Sequence, residues 1–454
     1  NSYLISITHD QKEIELHNNT FSHITNDNGN TNSYGGGTCI SLRSSNPEYT
    51  IKFTLCKFYD NINNEETTPN CHGGSIEYGF SNEAEAHIEF DECEFKNNQA
   101  KSGHGGSIAI RTSKSVSIRG CIFESNTANN EASISHLLFN NHYDEKGKGY
   151  GGAIYMTNTT CNLTFSDFYN NTGTGNGTKG PIFGSGGCFH INEFSNVYTS
   201  NCHFDHNSMI SKSNSYGYVC NLLGGSISVT KSVMNIDYCK FTHNFCLSEY
   251  NYLNGKDAAG GAIFSSFTNL TINFCYFCYN SVNLSSRRDP NNRVFGGAIH
   301  AIGDLNKEKL IVFNCEFINH TIYINSPGST SYGGSIYATL DSHIKSCSFI
   351  NSSNINLLNY HLSCGGALYF SNCIIDTCIF FNCIAIHGGD LCYNQYELKE
   401  YISDISNCEF KESINRYPLM TSLFYFKIEQ YKIPFKINIT NNKIFITNSS
   451  INNI

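Results

Sequence analysis

The sequence has 454 residues, 15% of them charged, and a formal charge of -9 at pH 7. Charged residues make up about a quarter of an ordinary globular chain, and a nucleic-acid surface needs clustered Lys and Arg, so this composition argues against nucleic acid as a partner. No apolar run reaches the roughly 18 residues of a membrane span, and no signal-peptide pattern follows Asn1. We therefore expect a processed piece that associates with a membrane only through segments outside these residues.

The first repeated motif is a Gly-Gly pair followed in most copies by a small residue and then a large apolar one. A degenerate copy, Tyr34-Gly35-Gly36-Gly37, precedes ten regular copies. Glycine accepts a positive φ and lets another backbone approach closely, so each pair predicts a sharp corner. The pairs begin at Gly73, Gly105, Gly151, Gly186, Gly224, Gly260, Gly296, Gly333, Gly365 and Gly388.

The second motif, Cys-x-Phe-x-x-Asn, alternates with the first. Cys and Phe two residues apart point to the same side of a strand, so both are predicted to face one interior, and the Asn predicts a ladder of amide hydrogen bonds. Later copies change the Asn, and one copy replaces Cys with Ser166. The interior ladder is predicted at Cys56, Cys93, Cys121, Cys202, Cys239, Cys275, Cys315, Cys347, Cys378 and Cys408.

The shortest repeat, from Gly365 to Gly388, spans 23 residues. This length fits one coil of a parallel β-helix, with about three short strands and three corners. The predicted fold is therefore all-β, a right-handed parallel β-helix of about twelve coils over residues 1–413. Residues 414–454 lose the glycine pattern and are predicted to form a C-terminal cap or the start of a further β element.

The longer repeats place most of their extra length between the Asn and the next Gly-Gly. The long insertions are predicted on one edge of the solenoid, where repeat proteins often present binding loops. They cover residues 127–150, 208–223, 245–259 and 281–295. Two of them contain Tyr-rich stretches that suit glycan or protein contact.

The two alternating motifs carry a family resemblance. Copies such as Gly151-Gly152-Ala153-Ile154 and Phe241 to Asn244 resemble the repeats of the chlamydial polymorphic outer membrane proteins and of similar protist proteins. The resemblance covers roughly residues 15–413 and implies a right-handed β-helix displayed at a cell surface, commonly regarded as an adhesin. The Asn-, Ile- and Tyr-rich, Ala-poor composition is closer to the protist, trichomonad-type members than to the chlamydial autotransporters.

The 21 cysteines admit two interpretations. Stacked Cys residues one coil apart lie within disulfide range, but we favour buried free thiols that pack as small apolar residues, because Ser166 replaces one of them. Off the ladder, Cys220 and Cys246 occupy neighbouring insertions and are the disulfide candidates.

No metal ligands are predicted. Cys275 and Cys278 have the spacing of a zinc motif but lie within the strand motif and lack partner ligands. His72, His104 and His387 directly precede glycine pairs, which invites a metal interpretation. Because Tyr150 occupies the same position in another repeat, we interpret these histidines as corner residues of aromatic size.

Asn-x-Ser/Thr sequences are frequent in this chain. If the protein passes through a eukaryotic secretory pathway, several would carry glycans. The candidates are Asn158, Asn162, Asn170, Asn176, Asn269, Asn283, Asn319 and Asn351.

Three classes of function remain open. An enzyme on a β-helix needs carboxylates that converge on one strand face, and Asp167, Asp205 and Asp237 are scattered relative to the repeat. We therefore expect no catalytic residues and no cofactor, and keep a carbohydrate-active lyase or hydrolase as the second alternative. The leading hypothesis is an extracellular or cell-surface, adhesin-like protein with a protein or glycan ligand. The first alternative is a filament or coat subunit that associates with its own copies.

Overall fold

The computed structural model describes residues 5–7, 13–26, 39–42, 49–64, 71–78, 86–101, 103–129, 148–174, 182–213, 220–250, 256–286, 292–356, 363–394, 402–411, 424–427 and 436–445. All regular elements in these ranges are β-strands, stacked in parallel sheets. The parallel β-helix predicted from the sequence is confirmed. Nowhere in these ranges is there a helix with the length and apolarity that a membrane crossing requires.

A complete coil passes through five strand ladders, which we name A1, A2, B, C and D in chain order. A1 and A2 belong to one 22-stranded sheet, because four long strands run through both ladders. The strands of A1 are Ile5–Ile7, Ile40–Leu42, Ile76–Tyr78, Ile108–Arg119, Ile154–Thr164, Phe189–Asn192, Ile227–Thr230, Ile263–Ser266, Ile299–Ile302, Ile336–Lys345, Leu368–Asp376, Leu391–Asn394 and Phe424–Lys427.

A2 consists of the second halves of the four long strands together with nine shorter strands. These are Glu13–His17, Thr50–Thr54, His87–Asp91, Asn196–Ser200, Val233–Asp237, Asn269–Asn273, Lys309–Phe313, Ile402–Ser406 and Lys436–Thr440. Sheet B follows A2 and contains the Phe of the second motif. Its strands are Thr20–Ser22, Lys57–Tyr59, Glu94–Lys96, Ile122–Glu124, Asp167–Tyr169, His203–Asp205, Lys240–Thr242, Tyr276–Cys278, Glu316–Ile318, Ser348–Ile350, Ile379–Phe381, Glu409–Lys411 and Lys443–Phe445.

Sheets C and D run out from the body of the coil and back to the glycine corner. Sheet C contains Thr25–Asn26, Ile62–Asn63, Gln99–Ala100, Thr127–Ala128, Thr172–Thr174, Ser208–Ser213, Phe245–Tyr250, Ser281–Ser286, Thr321–Asn325 and Ser353–Asn356. Sheet D contains Cys71–His72, Gly103–His104, Lys148–Tyr150, Ile182–Ser185, Cys220–Leu223, Lys256–Ala259, Arg293–Phe295, Thr330–Tyr332 and Ser363–Cys364.

The coil number differs slightly from the predicted twelve. Sheet B has 13 strands, whereas sheets C and D have 10 and 9. Among the described residues, only the middle of the solenoid therefore has complete coils. After residue 413, the strands Phe424–Lys427, Lys436–Thr440 and Lys443–Phe445 pair in register with the preceding coil. They extend ladders A1, A2 and B by one coil, and the capping role expected for this segment stays a prediction.

The Phe of the second motif builds an interior stack that runs from Phe21 to Phe410. Rings of successive coils are nearly parallel, with centroids 4.7–5.1 Å apart, which matches the spacing of paired strands. The ladder cysteines and the inward residues of A1 and A2 complete one continuous core. Each buried Phe contributes about 1.5–3 kcal/mol, so the stack is a main source of stability.

The predicted asparagine ladder is also confirmed. Asn207 donates from Nδ2 to Oδ1 of Asn244 at 3.1 Å and to the carbonyl oxygen of Phe168 at 2.9 Å. Seven coils keep this Asn, from Asn61 to Asn280, and all seven side chains are buried. In the next coil His320 takes the position, and its Nδ1 lies 3.2 Å from the backbone nitrogen of Asn280. The ladder satisfies amide groups that would otherwise be buried without partners.

The glycine pairs form the corner between D and A1. Both predicted reasons for glycine, a positive φ and a close approach of another backbone, are present there. Gly260 has a φ of 66°, a conformation that residues with a Cβ rarely adopt. A Cβ on Gly261 would lie 2.1 Å from the carbonyl oxygen of Gly297 in the next coil. The first glycine is therefore required by its conformation and the second by the close approach of the neighbouring backbone.

The insertions predicted as loops are built largely of strands. The described parts of residues 208–223, 245–259 and 281–295 form successive strands of sheets C and D. A second hydrophobic core lies between these sheets, formed by Met209, Leu222, Cys246, Ala258, Val282, Leu284, Val294, Ile322 and Ile324. We call these paired strands the arms. The sequence interpretation missed their strand character because it attributed the added length to loops, whereas stacking gives each added residue a partner in the next coil.

Candidate functional site

Exposed aromatic residues line the corner between A2 and B. Phe165, Tyr238 and Phe274 are 63%, 58% and 46% exposed, and each has a positive φ between 51° and 55°. The rings of Tyr238 and Phe274, one coil apart, are stacked with centroids 4.9 Å apart. A bulky side chain with positive φ is uncommon and costs about 1–2 kcal/mol.

The hydrogen bonds of the solenoid impose this conformation on the corner. The backbone N–H of Tyr238 donates to the carbonyl oxygen of Asn273 at 3.0 Å, and that of Phe165 donates to Ser200 at 3.1 Å. In other coils an Asn, such as Asn201 or Asn314, occupies the same corner with positive φ, and Asn tolerates this conformation better. The corner therefore does not require an aromatic residue, and its own architecture does not explain the exposed rings.

A shallow groove of about 650 Å³ lies on the other side of A2, at the bend from A1. Phe194, which is 80% exposed, and Phe267 border it two coils apart, with Lys231 between them. Asn196, Asn269, Val233 and Glu308 also line the groove. Phe194, Lys231 and Phe267 all have positive φ at this bend. The same backbone conformation therefore directs aromatic rings toward solvent along both edges of A2.

Strand residues of A2 join the two edges. The outward side chains of Tyr198, Val233 and Ile311 are exposed. Asn235 and Thr271 lie between Tyr198 and Ile311 in the same row. In the next row toward B, Nδ2 of Asn273 donates to Oδ1 of Asp237 at 2.8 Å. We call this surface the aromatic face and define it by Phe165, Phe194, Tyr198, Val233, Tyr238, Phe267, Phe274 and Ile311. It extends over five coils, about 19 Å along the axis at the usual strand spacing.

The flat apolar rings of the aromatic face are flanked by amides, such as Asn196 and Asn273, and by the charged side chains of Lys231, Asp237 and Glu308. Aromatic rings supply apolar contact area and pack well against flat ligands, and extensive exposed apolar patches mark interaction sites. The face lies on A2 and its flanking corners, away from the arms that extend through C and D. The sequence analysis predicted contact at the arms and missed this face. The signal was present: an aromatic residue directly precedes the Cys-x-Phe motif at Tyr238 and Phe274.

The Tyr-rich stretches of the insertions fall largely outside the described residues, as does much of 127–150. The role of the arms in ligand binding stays a prediction.

The glycosylation candidates occupy several parts of the coil. Asn158 and Asn162 are exposed near and on A2, and Asn170 is exposed at the corner between B and C. Asn269 is exposed in the groove, where its Oδ1 accepts a hydrogen bond from the backbone of Lys309 at 3.0 Å. Asn283 and Asn319 are half-buried, Asn351 is exposed, and Asn176 lies outside the described residues.

The cysteines whose side chains the structure describes are 19 buried free thiols. Along the ladder they accept hydrogen bonds as well as pack: the N–H of Cys202 points to Sγ of Cys239 at 3.4 Å. Ser166 fills the same role, accepting from the N–H of Cys121 at 3.1 Å. Ser can therefore replace Cys at this position because both side chains place an acceptor atom there, and because they are similar in size.

The two disulfide candidates lie in different sheets of the arms. Cys246, on sheet C, is a buried free thiol whose Sγ lies 3.6 Å from the carbonyl oxygen of Ala259. Cys220 belongs to a strand of sheet D in register with Lys256, and its side chain is outside the described part of the chain. The pairing of Cys220 with Cys246 stays a prediction.

The histidines that precede glycine pairs belong to the corner between D and A1. His104 is buried, and its ring stacks against those of Tyr150 and Tyr155, with centroids 4.8 and 4.7 Å away. This confirms its interpretation as an aromatic corner residue. His387 is half-buried in the equivalent position, and the side chain of His72 lies outside the described residues.

Comparison with known proteins adds no family assignment: no protein-family model matches the chain, and a search of curated proteins finds no match. Arguments about function therefore depend on the chain's own geometry.

Proposed function

We propose that the protein is a non-catalytic, adhesin-like β-helix protein of the cell surface or extracellular space, which contacts glycans through the aromatic face. The observation that carries the proposal is the exposure of Phe165, Tyr238 and Phe274 at corners where Asn serves elsewhere. Stacked coils hold these rings at fixed spacing, so little side-chain ordering remains to oppose binding.

The chemistry of the aromatic face favours a glycan over a charged ligand. Sugar rings offer flat C–H surfaces to aromatic side chains and hydroxyl groups to amides. The groove provides both kinds of partner in Phe194, Phe267 and Asn196. The repeat resemblance to surface-displayed β-helix proteins points to the same class of function, and the exposed Asn158 of the sequence Asn158-Thr-Thr suits a secreted chain.

Self-association is the second candidate, because exposed apolar residues can also pack against copies of the same chain. A filament or coat subunit would bury the aromatic face between chains. Its binding would then depend on protein concentration and would need no glycan.

The test replaces the corner aromatics with the residue that the same corner carries in other coils. The triple variant Phe165→Asn, Tyr238→Asn, Phe274→Asn keeps the positive-φ corner, and Leu55→Asn at the same corner of an early coil is the matched control. Binding of the whole chain to a glycan array and to cultured cells is measured alongside sedimentation equilibrium.

We expect the triple variant to lose at least about tenfold in glycan affinity, as when two or more contacts of about 1 kcal/mol are removed. The Leu55 variant should bind like wild type. Equal binding by all three proteins would contradict the proposal. Glycan-independent assembly that the triple variant abolishes would favour the filament instead.

A further inference from the structure

A histidine–aspartate cluster lies at the corner between sheets B and C. Asp205 ends the strand His203–Asp205, and His206 is the corner residue that follows it. His243 occupies the same corner one coil later, and both histidines have positive φ, at 54° and 55°. Because parallel stacking superposes equivalent corners, their rings lie face to face with centroids 4.6 Å apart.

The carboxylate of Asp205 faces both imidazoles. Its Oδ2 lies 2.8 Å from Nδ1 of His206, and its Oδ1 lies 3.2 Å from Nδ1 of His243. The three potential donor atoms lie within 4.8 Å of one another. Both rings are about half exposed, so an ion from solvent can reach them.

Neighbouring groups hold the carboxylate in place. The hydroxyl of Thr242, in register with Asp205, donates to Oδ1 at 2.5 Å, and Nε2 of His203 lies 2.9 Å from that hydroxyl. Although partial burial opposes it, hydrogen bonds from Thr242, His206 and His243 lower the pKa of Asp205. The ring of Tyr279 stacks on His243 at 5.2 Å. Such outer-shell contacts orient the ligands of metal sites.

We propose that Asp205, His206 and His243 bind a divalent transition-metal ion of the Zn²⁺ class. Two imidazole nitrogens and one carboxylate oxygen form a ligand set that such ions favour. With metal–ligand bonds of about 2.0–2.1 Å, tetrahedral ligands lie about 3.3 Å apart. The nitrogen–oxygen distances present are 3.2 Å from His243 to Oδ1 and 2.8 Å from His206 to Oδ2, so coordination through one carboxylate oxygen requires a shift of the side chains. The metal takes the place of the protons shared between the carboxylate and the imidazoles. A further coordination position remains for water or for a donor group of a binding partner.

An ordinary surface ion pair does not explain the second histidine. An ordinary histidine–aspartate pair occupies the same corner in an early coil, where Nδ1 of His23 lies 3.7 Å from Oδ2 of Asp60. Such exposed ion pairs contribute about 0–1 kcal/mol to stability. Elsewhere the corner carries asparagines, as at Asn319 and Asn351, joined by an amide hydrogen bond of 3.0 Å. Two stacked imidazoles on one carboxylate therefore distinguish this cluster from the other described corners.

The sequence analysis predicted no metal ligands; besides Cys275 and Cys278, it considered the histidines that precede glycine pairs and not those elsewhere in the coil. His206 and His243 instead precede ladder asparagines, in the segments Phe204-Asp-His-Asn and Phe241-Thr-His-Asn. Their contact becomes evident once the coil register is known.

The test is titration calorimetry of the whole chain, without a histidine tag and stripped of metal, against Zn²⁺. His206→Asn and His243→Asn retain a residue that this corner carries in other coils, and His23→Asn is the matched control. We expect one Zn²⁺ per chain, weakened more than about tenfold by either variant and abolished in the double variant. The His23 variant should bind like wild type.

Co²⁺ absorption separates this cluster from the thiols. A nitrogen–oxygen site gives weak d–d bands without the intense thiolate charge-transfer band. Circular dichroism of each variant checks that the fold is retained. Zn²⁺ binding that is unchanged in the double variant, a thiolate band with Co²⁺, or no binding at millimolar Zn²⁺ would each overturn the proposal.

Discussion

Most corners of the coil follow one rule at the scale of single residues: a residue with positive φ precedes a side chain that accepts a hydrogen bond. At the A2–B corner Tyr238 precedes Cys239, and at the B–C corner His243 precedes Asn244. At the A1–A2 bend, Lys231 precedes Ser232, whose Oγ accepts from the N–H of Ser195 at 3.3 Å. Cys, Asn and Ser thus each provide an acceptor for the backbone N–H of the equivalent residue in the preceding coil.

Two glycines at different corners should respond differently to substitution: Gly261, the second glycine of a Gly-Gly pair, and Gly120, at the corner between A2 and B. Gly261→Ala places a Cβ against the backbone of the next coil, where neither partner can move freely. We expect it to cost about 3 kcal/mol or more. Gly120→Asn is the control: Gly120 has a φ of 61°, its nearest contact for a Cβ is Cγ of the exposed Glu92 side chain at 3.3 Å, and Asn fills the equivalent corner elsewhere. Urea unfolding measures both; equal midpoints for the two variants would contradict the close-approach argument.

Two buried imidazoles should make the fold sensitive to acid. Burial lowers the pKa of His300 and of His320 to about 3, and Arg293 adds to the effect at His300. Because the unfolded pKa is about 6.5, the folded state disfavours protonation. Stability is therefore complete above about pH 6.5 and is lost as the pH falls toward 3, by about 1.4 kcal/mol per imidazole and pH unit.

The matched double variant gives each position the residue that occupies it in the preceding coil. His300→Phe copies Phe264, and His320→Asn copies Asn280. Urea midpoints between pH 6.5 and 4.5 should fall steeply for wild type and weakly for the variant. The same slope for both would show that these histidines do not control acid stability.

At the scale of elements, the cysteine ladder acts through its acceptor atoms as well as its volume. Cys239→Ala leaves the N–H of Cys202 without its sulfur partner, and an unsatisfied buried donor costs about 1–3 kcal/mol. Cys239→Ser retains an acceptor, as Ser166 does for Cys121, and is expected to cost less. Thermal unfolding under reducing conditions compares the two; a serine variant less stable than the alanine variant would contradict the shared-acceptor account.

The arms should form a cooperative unit distinct from the main core. Leu284→Ala opens a cavity between sheets C and D, at a cost of about 2–5 kcal/mol. Hydrogen exchange should accelerate in Ser281–Ser286 and in the stacked strands Phe245–Tyr250 and Thr321–Asn325, while sheet B stays protected. Leu270→Ala, in the main core, is the control and should affect sheet B as well. Equal protection patterns would refute separate units.

At the scale of the whole molecule, the sequence predicted what repeats in every coil and missed what differs between coils. Gly-Gly and Cys-x-Phe alternate along the chain, and the ladder Asn keeps its offset from the Phe in seven coils, so their corner, core and ladder roles followed from this alternation and from chemistry alone. The aromatic face and the His206–His243 pair depend on residues that vary from coil to coil. Their proximity follows from the register between coils, which unequal repeat lengths conceal in the sequence.

The account as a whole requires the solenoid to be displayed outside the cell, where the aromatic face can meet its ligand. The most direct measurement is peptide mass spectrometry of the native protein after intact source cells are treated with a membrane-impermeant amine label. The account predicts labelled lysines such as Lys231 and, in a eukaryotic source, glycans on exposed sites such as Asn158 and Asn162. A chain that is labelled only after lysis and carries no glycan would contradict surface display and the adhesin-like function with it.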